Sequence, residues 1–288
     1  MRGIELKRRV KEKCRLCRGS LQFKFKANGC ELAECAQCGF VQVIKTNEIE
    51  MYKYDESYFT SSKYKDNNAL WKEYTRRKEM LIKYCDVGSR ILERGCATGE
   101  FVRFISDMYQ ADGEDVSVDA ISIAKKKYVK LRDNFWCITE QRKYEKGYDA
   151  VCLWDVIEHI PNPYESLSEL KAVMKKGGYV FISTPNIGAV FARVLKSKWP
   201  FMTPPEHLCF FSQKSIGKLA ELLDMDIVEW KSRGKWANVG FIFYKFNRVS
   251  SIKIPDKIVR IFQTTFMAKL NIYVPTHDIQ YVVLKNNE

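Results

Sequence analysis

The sequence predicts a doubly wound, mostly parallel α/β sheet preceded by a small metal-held module, on three observations. From Ser89 onward, apolar runs of strand length alternate with amphipathic stretches of helix length, the pattern of a parallel sheet covered on both faces. The first of those strands ends in a turn of small residues, Gly95 to Gly99, and passes directly into a helix. Ahead of it, two Cys-x-x-Cys pairs crowd between positions 14 and 38.

Residues 1–46 form the first unit. Cys14-Arg15-Leu16-Cys17 and Cys35-Ala36-Gln37-Cys38 are 17 residues apart, the spacing of a four-thiolate zinc ribbon. Each pair makes a knuckle, and tetrahedral binding through Cys14, Cys17, Cys35 and Cys38 replaces a core too small to fold alone. Alternating runs over 21–26 and 40–44 read as hairpin strands. Cys30 is left over.

A connector and lid helix occupy 47–88: a tyrosine-rich stretch, then an amphipathic helix over 69–84. The large unit is 89–288, with seven strands near 90–92, 111–115, 135–139, 149–154, 179–183, 226–230 and 280–284. Helices are expected over 100–108, 120–129, 164–175 and 214–223, with a basic, aromatic insertion at 239–274.

Composition removes several classes. The 288 residues, 46% of them hydrophobic, hold one full α/β domain and a small extra module, not two large enzymes. No run of apolar residues is long enough to span a bilayer and no apolar stretch follows the basic start, so the expected location is the cytoplasm. Cys85, Cys96, Cys137, Cys152 and Cys209 are scattered singly through apolar runs and read as reduced residues of the core or site. The net charge of +13 favours approach to polyanions, and ten of the basic residues precede position 27.

The segment Ile91-Leu92-Glu93-Arg94-Gly95-Cys96-Ala97-Thr98-Gly99-Glu100 is strand, turn and helix start. Its glycines let the backbone turn and approach a ligand, and the helix start offers N–H groups. An acid, Asp115, follows 22 positions after Glu93 in Gly113-Glu114-Asp115-Val116-Ser117, at the end of the next strand, where ribose recognition needs one. A dinucleotide site is the competing reading, but small residues spaced by two behind an acid differ from G-x-G-x-x-G. These residues resemble the class I S-adenosylmethionine (SAM)-dependent methyltransferases, with their Rossmann-like fold. The resemblance implies that Glu93, Gly95, Cys96, Ala97 and Gly99 hold the methionine end of SAM, and that Asp115, beside Val116, holds the ribose. It further implies Thr139 and Glu140 at the adenine and Asp155 at the end of the fourth strand. Ala97 stands where glycine is usual, and Arg94 where a small or apolar residue is usual.

The fourth strand ends Trp154-Asp155-Val156-Ile157-Glu158-His159-Ile160-Pro161, at the sheet edge where ligands bind. With His207 in Pro204-Pro205-Glu206-His207-Leu208, the spacing looks like that of metal-assisted O-methyltransferases. Asp155, Glu158, His159 and His207 would then bind a catalytic divalent cation. Without one, Glu158, His159 and His207 remain the catalytic set, a histidine acting as base. His277 reads as surface.

The resemblance implies a SAM-dependent methyltransferase, and the expected acceptor is a hydroxyl on a sugar, a glycan precursor or another small metabolite, including phosphorylated or lipid-linked ones. Two alternatives stand beside it: a tRNA or rRNA methyltransferase gripping RNA with the basic ribbon, and a SAM-fold module without catalysis. Tyr54 and Tyr58, in Met51 to Phe59, are candidates for closing over the acceptor. The sequence gives no oligomeric state.

Overall fold

The computed structural model describes residues 9–45, 67–140, 147–239, 242, 254–255, 257 and 271–287. The Tyr54 and Tyr58 connector and most of the 239–274 insertion lie outside the described residues. The main sheet has seven strands: β5 (Arg90–Arg94), β6 (Gln110–Asp115), β7 (Phe135–Cys137), β8 (Tyr148–Trp154), β9 (Met174–Pro185), β11 (Met225–Asn238) and β12 (Asn271–Asn286). Their spatial order is β11-β12-β9-β8-β5-β6-β7. The five strands from β9 to β7 run parallel, and β12 lies antiparallel to both its neighbours. The order reverses beside β5, so a crevice opens at the carboxyl ends of β5 and β8.

β8 reads as a nearly continuous apolar run because both its faces are buried, whereas β6, Gln110–Asp115, is polar in sequence and still largely buried. Along β8, Val151 and Leu153 enter one apolar cluster while Cys152 and Trp154 enter the other; β5 divides Leu92 and Ile91 in the same way. One face carries α1 (Asn67–Tyr84), α2 (Glu100–Ile105) and α3 (Val118–Lys127), which contribute Leu81, Phe101, Val102, Ile105, Ile121 and Ala124. The other carries α4 (Pro163–Val173) and α6 (Gln213–Leu222), through Leu167, Leu170, Ile216 and Leu219. The short α5 (Val190–Leu195) lies between β9 and α6 in sequence.

The second sheet is antiparallel, in the order β1 (Arg9–Lys13), β2 (Ser20–Ala27), β3 (Cys30–Cys35), β4 (Val41–Lys45), β10 (Cys209–Phe210). Its last strand comes from the large unit. The module is therefore no loose appendage: Leu16, Leu21 and Phe40 share a core with Leu92, Leu153 and Phe211, and the Phe40 and Phe211 rings lie 5.0 Å apart.

Several elements differ from the sequence reading: the helix expected over 100–108 ends at Ile105, and the strand expected over 135–139 ends at Cys137. The helix expected to reach 175 stops at Val173, and β9 begins at Met174, whose buried side chain pairs in register with Tyr148; tertiary pairing outweighs local helix propensity there. The last two strands run 14 and 16 residues, from Met225↔Asn286 to Asn238↔Asn271. Their apolar pattern is masked because β11 is an edge strand bearing Lys231, Arg233 and Lys235, charges that discourage pairing with a further strand. The two-residue β10 is too short to leave a periodic signal.

Candidate functional site

The turn after β5 and the acid ending β6 are in direct contact. Asp115 Oδ2 accepts the backbone N–H of Ala97 at 2.9 Å, and its Oδ1 accepts that of Ser117, also at 2.9 Å. The turn is further tied to β6 by Gly95 N and Cys96 N, which donate to Glu114 O at 2.8 and 3.1 Å. Gly95 (φ +76°) and Gly99 (φ +81°) need to be glycine on two counts: their backbone is left-handed, and a Cβ would fall 2.4 Å from Val156 Cγ2 and 2.7 Å from the Phe135 ring. Ala97 adopts φ +48° with a side chain in place.

Glu93 lies at the floor of the turn. It is buried, its Oε2 has no hydrogen-bond partner, and burial pushes its carboxyl up to about 8, against the pull of Arg77. A buried carboxylate oxygen left unsatisfied is costly in an isolated chain. An ammonium group of a ligand would satisfy it, so the residues present fit the amino end of SAM. Asp115 fits the ribose: each of its oxygens uses one lone pair on the backbone and keeps another for a hydroxyl. Cys96 is buried behind the turn, and Val116 is exposed beside the acid. Thr139 Oγ1 lies 3.1 Å from Cys137 Sγ at the end of β7, and Glu140 is exposed with Lys125 3.9 Å away.

Arg94 points away from this site. Its Nε donates to Glu114 Oε1 at 2.5 Å and its Nη1 to Ser166 Oγ at 2.8 Å, while Trp136 Nε1 donates to Glu114 Oε2 at 3.2 Å. The guanidinium thus ties β5 and β6 to α4 inside the core, and its presence in the turn motif reflects the buried Glu114 it neutralises.

At the end of β8, Asp155 has φ +58° and its N–H donates to Ser183 O at 2.9 Å. Its Oδ2 receives Arg77 Nη2 at 2.9 Å and Lys235 Nζ at 3.5 Å, and its Oδ1 receives Ser183 Oγ at 3.1 Å. Burial opposes its ionisation, but Lys235 and Arg77 outweigh that and hold the carboxyl below the usual range. Neither cation was singled out from sequence. Arg77 left one signal: it falls three residues after Tyr74 and four before Leu81, on the apolar stripe of α1, where an unpaired charge is not expected.

Glu158, His159 and His207 come together, each offering one ligand atom within 4.8 Å of the others. The ring Nδ1–H of His159 donates to Glu206 O, and that of His207 to Phe201 O, both at 2.8 Å. A carbonyl can only accept, so these bonds fix the tautomer and place the lone pair of each neutral ring on Nε2. The rings meet edge to face at 4.8 Å between centroids. Glu158 receives Thr184 Oγ1 at 2.9 Å, and burial together with the nearby Asp155 pushes its carboxyl up to about 8. Burial lowers the pKa of His159, which favours the neutral ring. Carbonyl-anchored imidazoles beside a carboxylate are a ligand set suited to a divalent cation. Asp155 is outside this group of three and is engaged by its two cations instead. His277, by contrast, is exposed on β12.

The four cysteines of the antiparallel sheet also converge. Cys17 Sγ lies 3.4 Å from Cys38 Sγ and 3.5 Å from Cys35 Sγ, and Cys14 Sγ lies 3.7 Å from Cys38 Sγ. A tetrahedron of thiolates around zinc has sulfur edges of about 3.8 Å, so the donor set fits that ion. Cys30 stands apart from the four.

A family model described as "Methyltransferase domain" matches residues 65–229, more than half of the chain. Among curated proteins, the ubiquinone biosynthesis O-methyltransferase of Glaesserella parasuis is 22% identical over 175 residues, covering 56% of this chain and 70% of that protein. The protein of the same name from Burkholderia ambifaria is 26% identical over 132 residues, covering 42% of this chain and 57% of that protein. Among solved structures, a SAM-dependent methyltransferase from Archaeoglobus fulgidus superposes with a TM-score of 0.53 at 19% identity, over 81% of this chain and all of that one. The YcgJ protein of Bacillus subtilis gives 0.51 at 12% identity, over 73% of this chain and 97% of that one. At these identities the structural likeness speaks for the fold alone.

Proposed function

The chain belongs to the methyltransferase-domain family and is a SAM-dependent methyltransferase, and from that premise we propose that it methylates a hydroxyl of a small metabolite at Glu158, His159 and His207. The observation that carries the reading is the convergence of Glu158, His159 and His207, whose ligand atoms lie within 4.8 Å of one another while both rings are anchored through Nδ1 to backbone carbonyls. The curated relatives named for ubiquinone biosynthesis support oxygen as the methylated atom. Sugar and glycan-precursor acceptors, expected from the sequence resemblance, stand beside hydroxylated rings as substrate classes to try.

Methyl transfer from a sulfonium is an in-line displacement, so much of the rate comes from holding acceptor and methyl in line. In this reading Glu93 takes the ammonium of SAM and Asp115 the ribose hydroxyls. Asp155, pinned by Arg77 and Lys235, fixes the end of β8 between the cofactor turn and the acceptor residues. A neutral imidazole Nε2 accepts the hydroxyl proton as the oxygen attacks. A divalent cation held by Glu158, His159 and His207 would take the Nε2 lone pairs as ligands and, in place of the imidazole base, would lower the acceptor's pKa and supply charge stabilisation. Burial and the nearby Asp155 raise the Glu158 carboxyl, so holding such a cation there would be coupled to release of a proton.

The test uses labelled SAM, a panel of phenolic and sugar acceptors, and mass spectrometry of the product. Wild type is expected to give a methyl ether on at least one class, and His207→Ala and Glu158→Gln to lose transfer while binding S-adenosylhomocysteine normally. Full transfer by both variants would overturn the assignment.

A further inference from the structure

The segment that carries His207 is held on both sides. On one, Leu208 N donates to Glu158 O at 2.9 Å, Glu206 O accepts from His159 Nδ1, and Cys209 Sγ lies 3.3 Å from Ile160 O. On the other, Cys209 and Phe210 pair with Gln42 and Val41 of β4, and Val43 N donates to Leu208 O at 3.0 Å. Two residues of strand cannot hold their own place, so the 206–210 segment takes its position from the 158–160 turn on one side and from whatever fixes β4 on the other.

β4 is held by its ladder with β3 and by the first cysteine knuckle. Arg15 sits between Cys14 and Cys17; its backbone N–H donates to Gln42 Oε1 at 2.8 Å and its Nη2 to Val43 O at 2.9 Å. Gln42 is fully buried, and its Nε2 reaches Lys13 O at 3.4 Å. The second knuckle joins at the start of the same strand, where Cys35 N donates to Phe40 O at 2.8 Å. A continuous path, covalent from Cys14 to Arg15 and hydrogen-bonded beyond it, therefore leads from the first cysteine knuckle through Arg15 and Gln42 to β4, then β10, then the histidine pair.

We infer that the four-cysteine sheet is the positioning element of the acceptor site, and that Arg15 and Gln42 are positioning residues acting through β10 on His159 and His207. The inference rests on reading those histidines as the acceptor site. It gives the module a role in methyl transfer that needs no contact with the acceptor and no nucleic acid. Displacing a catalytic group by about 1 Å costs on the order of 100-fold in rate, so loosening β4 reaches the chemistry without touching the cofactor turn.

The three histidines make the test direct. In the full-length, zinc-loaded protein, the imidazole nitrogens of His159, His207 and His277 are followed by NMR at one fixed pH, with the exposed His277 as internal reference. Arg15→Ala and Gln42→Leu are expected to shift the resonances of His159 and His207 but not those of His277. Both should keep one zinc per chain and unchanged S-adenosylhomocysteine affinity, and lower kcat/KM for the acceptor by about 10- to 100-fold. Arg15→Lys, which restores a cationic donor to Val43 O, is expected to recover most of that loss. Unmoved His159 and His207 signals in both variants would overturn the inference. Shifted signals combined with full transfer by His207→Ala would support the coupling and overturn the acceptor-site reading.

Discussion

The backbone N–H of Ala97 and the carboxylate of Asp115 are joined by a 2.9 Å hydrogen bond, so the turn after β5 and the end of β6 form one rigid rim. An acid here has two tasks: it closes the turn against the neighbouring strand, and it offers its remaining lone pairs outward.

Asp115→Asn keeps the shape but replaces one acceptor oxygen by a donor amide. Hydrogen bonds to a charged group contribute about 1.5–3 kcal/mol each, so affinity for S-adenosylhomocysteine should fall on the order of 100-fold. Calorimetry checks this, with zinc content expected to stay at one per chain. Wild-type affinity in the variant would remove Asp115 from the cofactor site.

Ala97 bears a side chain at φ +48°, a conformation that costs an L-residue about 1–2 kcal/mol. Ala97→Gly should therefore stabilise the protein by about 1 kcal/mol, less than the full strain because glycine also loosens the unfolded chain. Denaturant midpoints at unchanged slope measure it; a lower midpoint would show that the alanine methyl contributes packing that offsets the strain.

Arg94 and Glu114 form a buried ion pair. Removing one partner strands the other charge, so Arg94→Ala is expected to destabilise by about 3–5 kcal/mol, lowering Tm by about 2–4 °C for each kcal/mol. Because Arg94 faces α4 and not the turn, cofactor affinity of the folded fraction should hold. A large loss of affinity at unchanged Tm would contradict the placement.

The raised pKa of Glu93, about 8 through burial, sets a sign for pH dependence. The native empty protein binds more protons than the unfolded chain between about pH 4.5 and 8, so this contribution to stability is complete at low pH and lost as pH rises through 8. Binding of a cationic amino end ionises the group, so SAM affinity should climb about tenfold per pH unit below 7. Glu93→Gln should flatten the slope, and calorimetry in buffers of different ionisation enthalpy should detect the released proton. A slope unchanged in Glu93→Gln would move the linkage to another group.

Much of this was legible in the sequence because it is written in local patterns. The thiolate spacing, the small-residue turn and the strand–helix alternation each involve residues close along the chain. The residues that went unseen are those whose role is made by distant partners. Arg77 acts on Asp155 from a helix preceding the first parallel strand, and Lys235 reaches it from the far edge strand. Arg94 looked misplaced because its partner Glu114 lies on the next strand and carries no motif. β10 went unread for the same reason: Cys209 and Phe210 become a strand only beside Gln42 and Val41.

The long ladder of β11 and β12 brings Asn238 and Asn271 side by side, so both ends of the 239–270 stretch are pinned at one place. Between ends pinned in this way, a change of chain length carries a small closure entropy. Lys235, three residues before Asn238, still reaches Asp155. The strand pair that anchors those two ends thus also reaches the end of β8, so the stem and the cofactor framework share one support.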